Sequence, residues 1–174
     1  MVVLLKMLLP DLHVDTIYDI DLDKLKEKGI KGIITDLDNT LIEWDRPEAT
    51  PELIEWLQKI DQKGLKVVVV SNNNEQRVSA FAEPLKIPFI HAARKPFNRA
   101  FKQAQRDMQL SPHEVVVVGD QLFTDVLGGN RLDLFTILVI PVAQNDGFFT
   151  RFNRKLERIA LSAMRKRGMI TWER

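Results

Sequence analysis

Apolar runs rich in Val, Ile or Phe punctuate the chain at residues 32–35, 66–70, 88–90, 115–118 and 136–140, and they are continuous rather than alternating. Strands buried on both faces read this way, because helices cover the sheet above and below and leave no polar side. Segments of helical length separate the runs. Residues 51–62 set Leu53, Ile54, Trp56, Leu57 and Ile60 on one face, open with Thr50 as cap and Pro51 at the first helical position, and close at Gly64. Further helices are expected over 75–85 after the asparagine run 72–74, over 98–108 after Pro96, and over 122–131 after Asp120. The alternation predicts an α/β fold with a doubly wound, Rossmann-like parallel sheet, whose ligands bind beyond the C-terminal ends of the strands. Polar residues that end the apolar runs are therefore where chemistry is to be sought.

Four successive runs deliver such residues. The first ends in Asp36-Leu37-Asp38-Asn39-Thr40, the second in Ser71 followed by Asn72, the third leads to Lys95 just before Pro96, and the fourth ends in Gly119-Asp120 with Asp125 five residues on. Each alone has an ordinary explanation: turn and cap chemistry for the D-x-D, capping of the next helix for Ser71, a solvated surface charge for Lys95, and compensation of a helix dipole for the last acid pair. Their conjunction at one sheet edge is what points to a site. Carboxylates without imidazole or thiolate suit a hard cation, and Mg2+ held by carboxylates and a substrate phosphate fits best. An Asp can attack phosphorus, a lysine and a metal can neutralise the charge of phosphoryl transfer, and a second acid can move the proton.

Composition narrows the chemistry further. The chain has 174 residues, enough for one core, with 45% hydrophobic and 28% charged positions. It contains no cysteine, which excludes disulfides, thiol catalysis, iron–sulfur clusters and thiolate zinc sites. The longest stretch without Asp, Glu, Lys or Arg is twelve residues, 134–145, too short to span a bilayer. The opening MVVLLKMLLPDLHVD has a Lys within its apolar run and no small-residue cleavage site, so a cytoplasmic location is expected. The net charge of +1 hides an uneven split. Residues 147–174 carry eight basic against two acidic side chains, a balance of +6, and residues 1–146 carry 17 against 22, a balance of −5. Two parts are expected, a body over 1–146 and a basic extension over 147–174 that packs on it, with the turn-rich 144–147 between them.

The strand-end residues resemble the haloacid dehalogenase superfamily of aspartate-nucleophile phosphatases, with Asp36-Leu37-Asp38-Asn39-Thr40, Ser71, Lys95 and Asp120 with Asp125 matching its four motifs in order. The resemblance implies that Asp36 is nucleophile and metal ligand, and that Asp38 is general acid and base, its backbone carbonyl also meeting the metal. It implies Asp120 and Asp125 as further metal ligands for Mg2+. Ser71 and Lys95 would hold the phosphoryl group, with Thr40 and Asn72 completing the phosphate-binding set and Thr40 steadying the first loop. Only residues 41–70 and 72–94 separate the motifs, one helix and one strand each, which leaves no room for a cap domain and implies an open site. The stretches DLDNTLIEWDRPEATPELIEWL, VVVVSNNNEQRV, ARKPFNRAF, GDQLFTDVLGGNR and DGFFTRFNRKLER are similar to the YqeG-type capless branch, akin to mitochondrial phosphatidylglycerophosphate phosphatase. That kinship implies a phospholipid headgroup as substrate.

The extension adds a partner. On a helical wheel Phe148, Phe149, Phe152, Leu156, Ile159, Ala160 and Ala163 share an apolar face flanked by Arg151, Arg154, Lys155, Arg158 and Arg165. Such a helix can lie at the surface of an anionic bilayer, peripheral at the inner face of the membrane, or pack its apolar face on the sheet with the basic flank in solvent; the two are compatible. Two other functions compete: hydrolysis of a soluble phosphometabolite at the same site, and ribosome or nucleic-acid binding through the basic tail. An acidic body without interleaved aromatic and basic residues argues against nucleic acid. A phosphorylation-switched receiver domain uses similar groups but, by resemblance, carries its phosphoacceptor on the third strand. His13, His91 and His113 show no ligand spacing; Trp44, just after the first motif, can line the pocket mouth or pack, and Arg131 can contact substrate or end its helix.

Overall fold

A computed structural model describes residues 2–143 and 148–172. The expected boundary at 144–147 and the terminal Glu173 and Arg174 lie outside the described residues, as do the side chains of 148–154 that were expected on the apolar face and its basic flank. Six parallel strands form one sheet: β1 (Leu12–Val14), β2 (Gly32–Thr35), β3 (Lys66–Val70), β4 (Phe89–Ile90), β5 (Val115–Gly119) and β6 (Phe135–Val139). Their spatial order is β1-β6-β5-β2-β3-β4. The doubly wound α/β class read from the apolar runs is the fold observed. Strand order reverses between β2 and β5, so the crevice for ligands lies above those two strands.

The helices are α1 (Val2–Met7), α2 (Leu22–Glu27), α3 (Pro51–Gln62), α4 (Glu75–Ala82), α5 (Asn98–Met108), α6 (Leu127–Asn130) and α7 (Phe148–Lys166). Alternate strand residues divide the core into layers. Ile33, Val69, Val116 and Val118 face α2, α3 and α4 through Leu25, Leu53, Trp56 and Phe81. Ile34, Val68, Val70 and Val117 face α5 through Ala100, Phe101, Ala104 and Met108. A third cluster joins α1 and α7 to the sheet, with Leu5, Leu8, Leu122, Leu138, Ala160, Leu161, Met164 and Ile170 buried together. The connection from β2 to β3 holds α3 alone and that from β3 to β4 holds α4 alone.

Three expectations are corrected. Strand β1 adds an edge that no apolar run announced. The helix expected over 122–131 is instead a π-helical turn, Leu122–Val126, running into the short α6. The apolar face expected on α7 is divided: Ala160 is buried with Glu157, Leu161 and Met164, and Ala163 packs against them, whereas Leu156 and Ile159 are exposed. The reason lies in Glu157, whose carboxylate accepts from the buried backbone N–H of Leu122 at 2.6 Å and so turns inward.

Candidate active site

Asp36 prolongs β2 by one ladder bond, its N–H donating to the Val118 carbonyl at 3.0 Å, which fixes its side chain above the strand end. The chain then turns sharply. Asn39 adopts a left-handed φ of 62°, which Asn tolerates, and its N–H donates to Ile42 at 2.7 Å. Leu37, Leu41 and Ile42 are buried beneath the loop, so packing anchors it. This turn carries Thr40 to the neighbouring strand end, where its Oγ1 donates to Asp120 Oδ1 at 3.2 Å.

Ser71 follows β3, fully buried, and does not cap the next helix. Asn74 does that, accepting from the Arg77 N–H, and Ser71 Oγ instead accepts from the Asn73 N–H at 3.1 Å. Asn72 Oδ1 accepts from the Lys95 N–H at 2.6 Å while its Nδ2 donates back to the Lys95 carbonyl at 3.4 Å, so the amide brackets the lysine backbone. Lys95 is buried and directs Nζ between two acids, 2.7 Å from Asp36 Oδ1 and 2.7 Å from Asp125 Oδ1.

Asp125 reaches this position through the π-helical turn. Its wider winding, with the N–H groups of Asp125 and Val126 both donating to the Gln121 carbonyl, folds the side chain back so that Oδ2 accepts from the Gln121 N–H at 3.2 Å. Gly119 makes room: a Cβ there would stand 2.2 Å from Asp125 Cγ. Asp36, Asp120 and Asp125, all buried, thus bring one carboxylate oxygen each within 4.8 Å of one another. Burial pushes the Asp36 carboxyl up to about 8, with Lys95 opposing and the charges of Asp125 and Asp120 adding to the rise. Asp125 is raised for the same first reason. Burial alone would lower Lys95, but Asp125 and Asp36 outweigh it and hold the ammonium charged.

Asp38 stands apart from this cluster, on the rim. Arg77 of α4 donates to its Oδ1 and Asn73 to its Oδ2. Neither residue was anticipated, because their contacts with Asp38 span 39 and 35 positions. Glu157 was also missed, although its placement at i relative to apolar residues at i+3, i+4 and i+7 of α7 is a readable signal. Arg131 donates to the Pro96 carbonyl at 3.5 Å. Three exposed apolar side chains stand on segments next to the site: Trp44 (48% exposed) after the Asp38 loop, Phe97 (67%) after Lys95, and Val142 (50%), whose N–H donates to the Asn39 carbonyl.

Residues 1–142 match the family described as mitochondrial PGP phosphatase. The chain belongs to that family. It is 60% identical over 168 residues to the Bacillus subtilis (strain 168) protein named probable phosphatase YqeG, covering 97% of this chain and 98% of that one. It is 28% identical over 172 residues to phosphatidylglycerophosphate phosphatase 1, chloroplastic/mitochondrial, of Arabidopsis thaliana, covering 92% of this chain but 49% of the plant protein. Among solved structures the fold is shared with the cobalt-bound deoxy-D-mannose-octulosonate 8-phosphate phosphatase of Haemophilus influenzae (TM-score 0.55, 14% identity, 79% and 91% of the two chains). It is shared also with a haloacid dehalogenase phosphatase from Thermococcus onnurineus (TM-score 0.54, 15% identity, 68% and 90%). The family member described here is thus a YqeG-type phosphatase, a phosphoric monoester hydrolase that shares the fold of a haloacid dehalogenase phosphatase. Among its described residues no helix is long and apolar enough to cross a membrane.

Proposed function

We propose that this phosphatase hydrolyses the terminal phosphomonoester of phosphatidylglycerophosphate through a phosphorylated Asp36. The observation that carries the reading is the placement of Lys95 Nζ 2.7 Å from both Asp36 and Asp125, with Asp120 beside them at the sheet's reversal point. Three buried carboxyl groups converge beside one ammonium, and the donors are oxygens only, which fits Mg2+. Asp36, Asp120 and Asp125 would hold the ion, with the Asp38 backbone carbonyl. Bound there, it supplies charge neutralisation for the phosphoryl oxygens.

An Asp36 oxygen attacks phosphorus, forming the P–O bond to the carboxylate as the bond to the alcohol oxygen breaks. Asp38 gives that oxygen its proton, then takes one from water as the water oxygen attacks the same phosphorus and displaces Asp36, releasing inorganic phosphate. Ser71 and Lys95 hold the non-bridging oxygens, Asn72 positions the Lys95 backbone, and Thr40 fixes Asp120 against the first loop.

The lipid assignment is supported by the names of the plant relative and of the family, and by the exposed Trp44, Phe97 and Val142 on segments next to the site. Exposed Leu156 and Ile159 among Lys155, Arg158 and Arg165 on α7 suit the headgroup level of an anionic bilayer, so the enzyme works as a peripheral protein at the inner membrane face. The test is phosphate release from phosphatidylglycerophosphate in vesicles, with and without Mg2+, beside a panel of soluble phosphomonoesters. Mg2+-dependent release that favours the lipid and disappears in Asp36→Asn is expected. Equal or better turnover of soluble esters would remove the lipid assignment and leave the phosphatase.

A further inference from the structure

The edge of the site holds a cation that the transfer chemistry does not use. Arg77 donates from Nε and Nη2 to the same oxygen of Asp38, at 3.0 and 2.9 Å, and Asn73 Nδ2 donates to the other oxygen at 3.0 Å. Nη2 also reaches the Glu43 carbonyl at 3.3 Å, while Nη1 is shut away from solvent without a partner. Both oxygens of Asp38 are therefore engaged by α4 and its leading loop. A carboxylate that has to serve a leaving oxygen and a water cannot remain locked in that embrace, and only another anion can take the guanidinium from it without leaving Arg77 uncompensated. Guanidinium matches phosphate in a planar, two-pronged way, and Nε and Nη2, once they leave Asp38, are the donors that would meet it.

We propose that Arg77 is a subsite for a second phosphate of the substrate, one joined to the reacting phosphoryl group through a short alcohol bridge, and that this phosphate replaces Asp38 on the guanidinium as the substrate seats. The proposal rests on the phosphomonoesterase reading above. The exchange leaves the charge on Arg77 balanced: one anion departs as another arrives. Asp38, then held by Asn73 alone, is free to turn to the leaving oxygen. A monoester with no second phosphate engages Asp36 and Lys95 but leaves the Arg77–Asp38 pair closed. Arg77 thereby determines specificity for compounds that combine a phosphodiester or second phosphomonoester with the reacting phosphate. A glycerophosphoglycerol phosphate headgroup has that chemistry, and so does a soluble bisphosphate.

The experiment compares two soluble substrates on the full chain with Mg2+: glycerophosphoglycerol phosphate, which carries both phosphates and no acyl chain, and glycerol 3-phosphate, which carries one. The proteins are the wild type, Arg77→Ala and Arg77→Lys. The wild type is expected to favour the two-phosphate compound in kcat/KM by roughly 10- to 100-fold, the range of a charge-assisted pair. The gain should appear in kcat as well as KM. The ratio should fall to near one in Arg77→Ala and to an intermediate value in Arg77→Lys, which keeps the charge but loses the fork. Because both rates come from the same preparation, partial unfolding lowers them together and leaves the ratio intact. A wild-type ratio near one overturns the proposal, as does a preference that Arg77→Ala retains; either result leaves the phosphatase reading standing. Turnover of neither compound, nor of the vesicle lipid, overturns both.

Discussion

Gly119→Ala isolates the packing that aims Asp125. The added Cβ would lie 2.2 Å from Asp125 Cγ and 2.3 Å from its Oδ2, where ordinary contact begins at 3.4 Å, so the carboxylate must retreat by about 1 Å. It has no slack, since Oδ1 meets Lys95 at 2.7 Å and Oδ2 accepts from the Gln121 N–H at 3.2 Å. Overpacking a core costs about 1–3 kcal/mol and weakening a charged hydrogen bond about 1.5–3 kcal/mol. Allowing for partial relaxation, a loss of about 3 kcal/mol is expected. In a chain of this size that lowers Tm by roughly 6–12 °C. A displacement of about 1 Å at a reacting centre also lowers turnover on the order of 100-fold. Thermal unfolding followed by circular dichroism gives the first quantity, and phosphate release with a Mg2+ titration gives the second. A variant with wild-type Tm and turnover would show that Asp125 does not depend on the missing side chain at 119.

Three further outcomes are expected. Lys95→Met removes the cation between Asp36 and Asp125 and should destabilise the protein by about 3–5 kcal/mol, measured by urea unfolding; a loss below about 1 kcal/mol would mean the ammonium is not what holds the acids together. In EDTA, stability should fall as pH rises from about 4 to about 8, because the folded Asp36 carboxyl, raised from 3.8 to about 8, keeps a proton that the unfolded chain has already lost. Lys95, raised above its ordinary 10.5, stays charged across that window and adds no slope. Added Mg2+ should therefore raise Tm more at pH 8 than at pH 6, and Asp120→Asn should lose most of the effect; a Mg2+ response independent of pH and of Asp120 would contradict the ligand set. Lys155→Ala combined with Arg158→Ala should weaken binding to anionic vesicles by about 2 kcal/mol, roughly 30-fold in a flotation assay, and unchanged binding would exclude α7 from the contact.

The sheet and the acid cluster were readable because strands buried on both faces tolerate polar residues only at their ends. Asp36, Ser71, Lys95 and Asp120 therefore stood out against the runs that precede them. Strand β1 was not readable: three residues at an edge, half exposed, carry too little apolar signal to distinguish from a loop. The π-helical turn was hidden because Leu122, Thr124, Asp125 and Val126 are all buried, which erases the periodicity that separates one helical winding from another. Arg77 and Asn73 read as ordinary residues around a helix start, and only the tertiary fold brings them to Asp38. On α7 the wheel puts Leu156 and Ile159 on one apolar face with Ala160, because hydropathy ranks Glu157 outside. The buried Leu122 N–H reverses that order by needing an acceptor.

In the proposed reaction Asp36 carries the phosphoryl group during turnover. Rapid acid quench of enzyme mixed with phosphatidylglycerophosphate, followed by peptide mass spectrometry, would trap that intermediate. A phosphate adduct on the peptide containing Asp36, formed before inorganic phosphate appears and missing in Asp36→Asn, is the result expected. Release of phosphate with no adduct at any time point, or an adduct on a different residue, would contradict it.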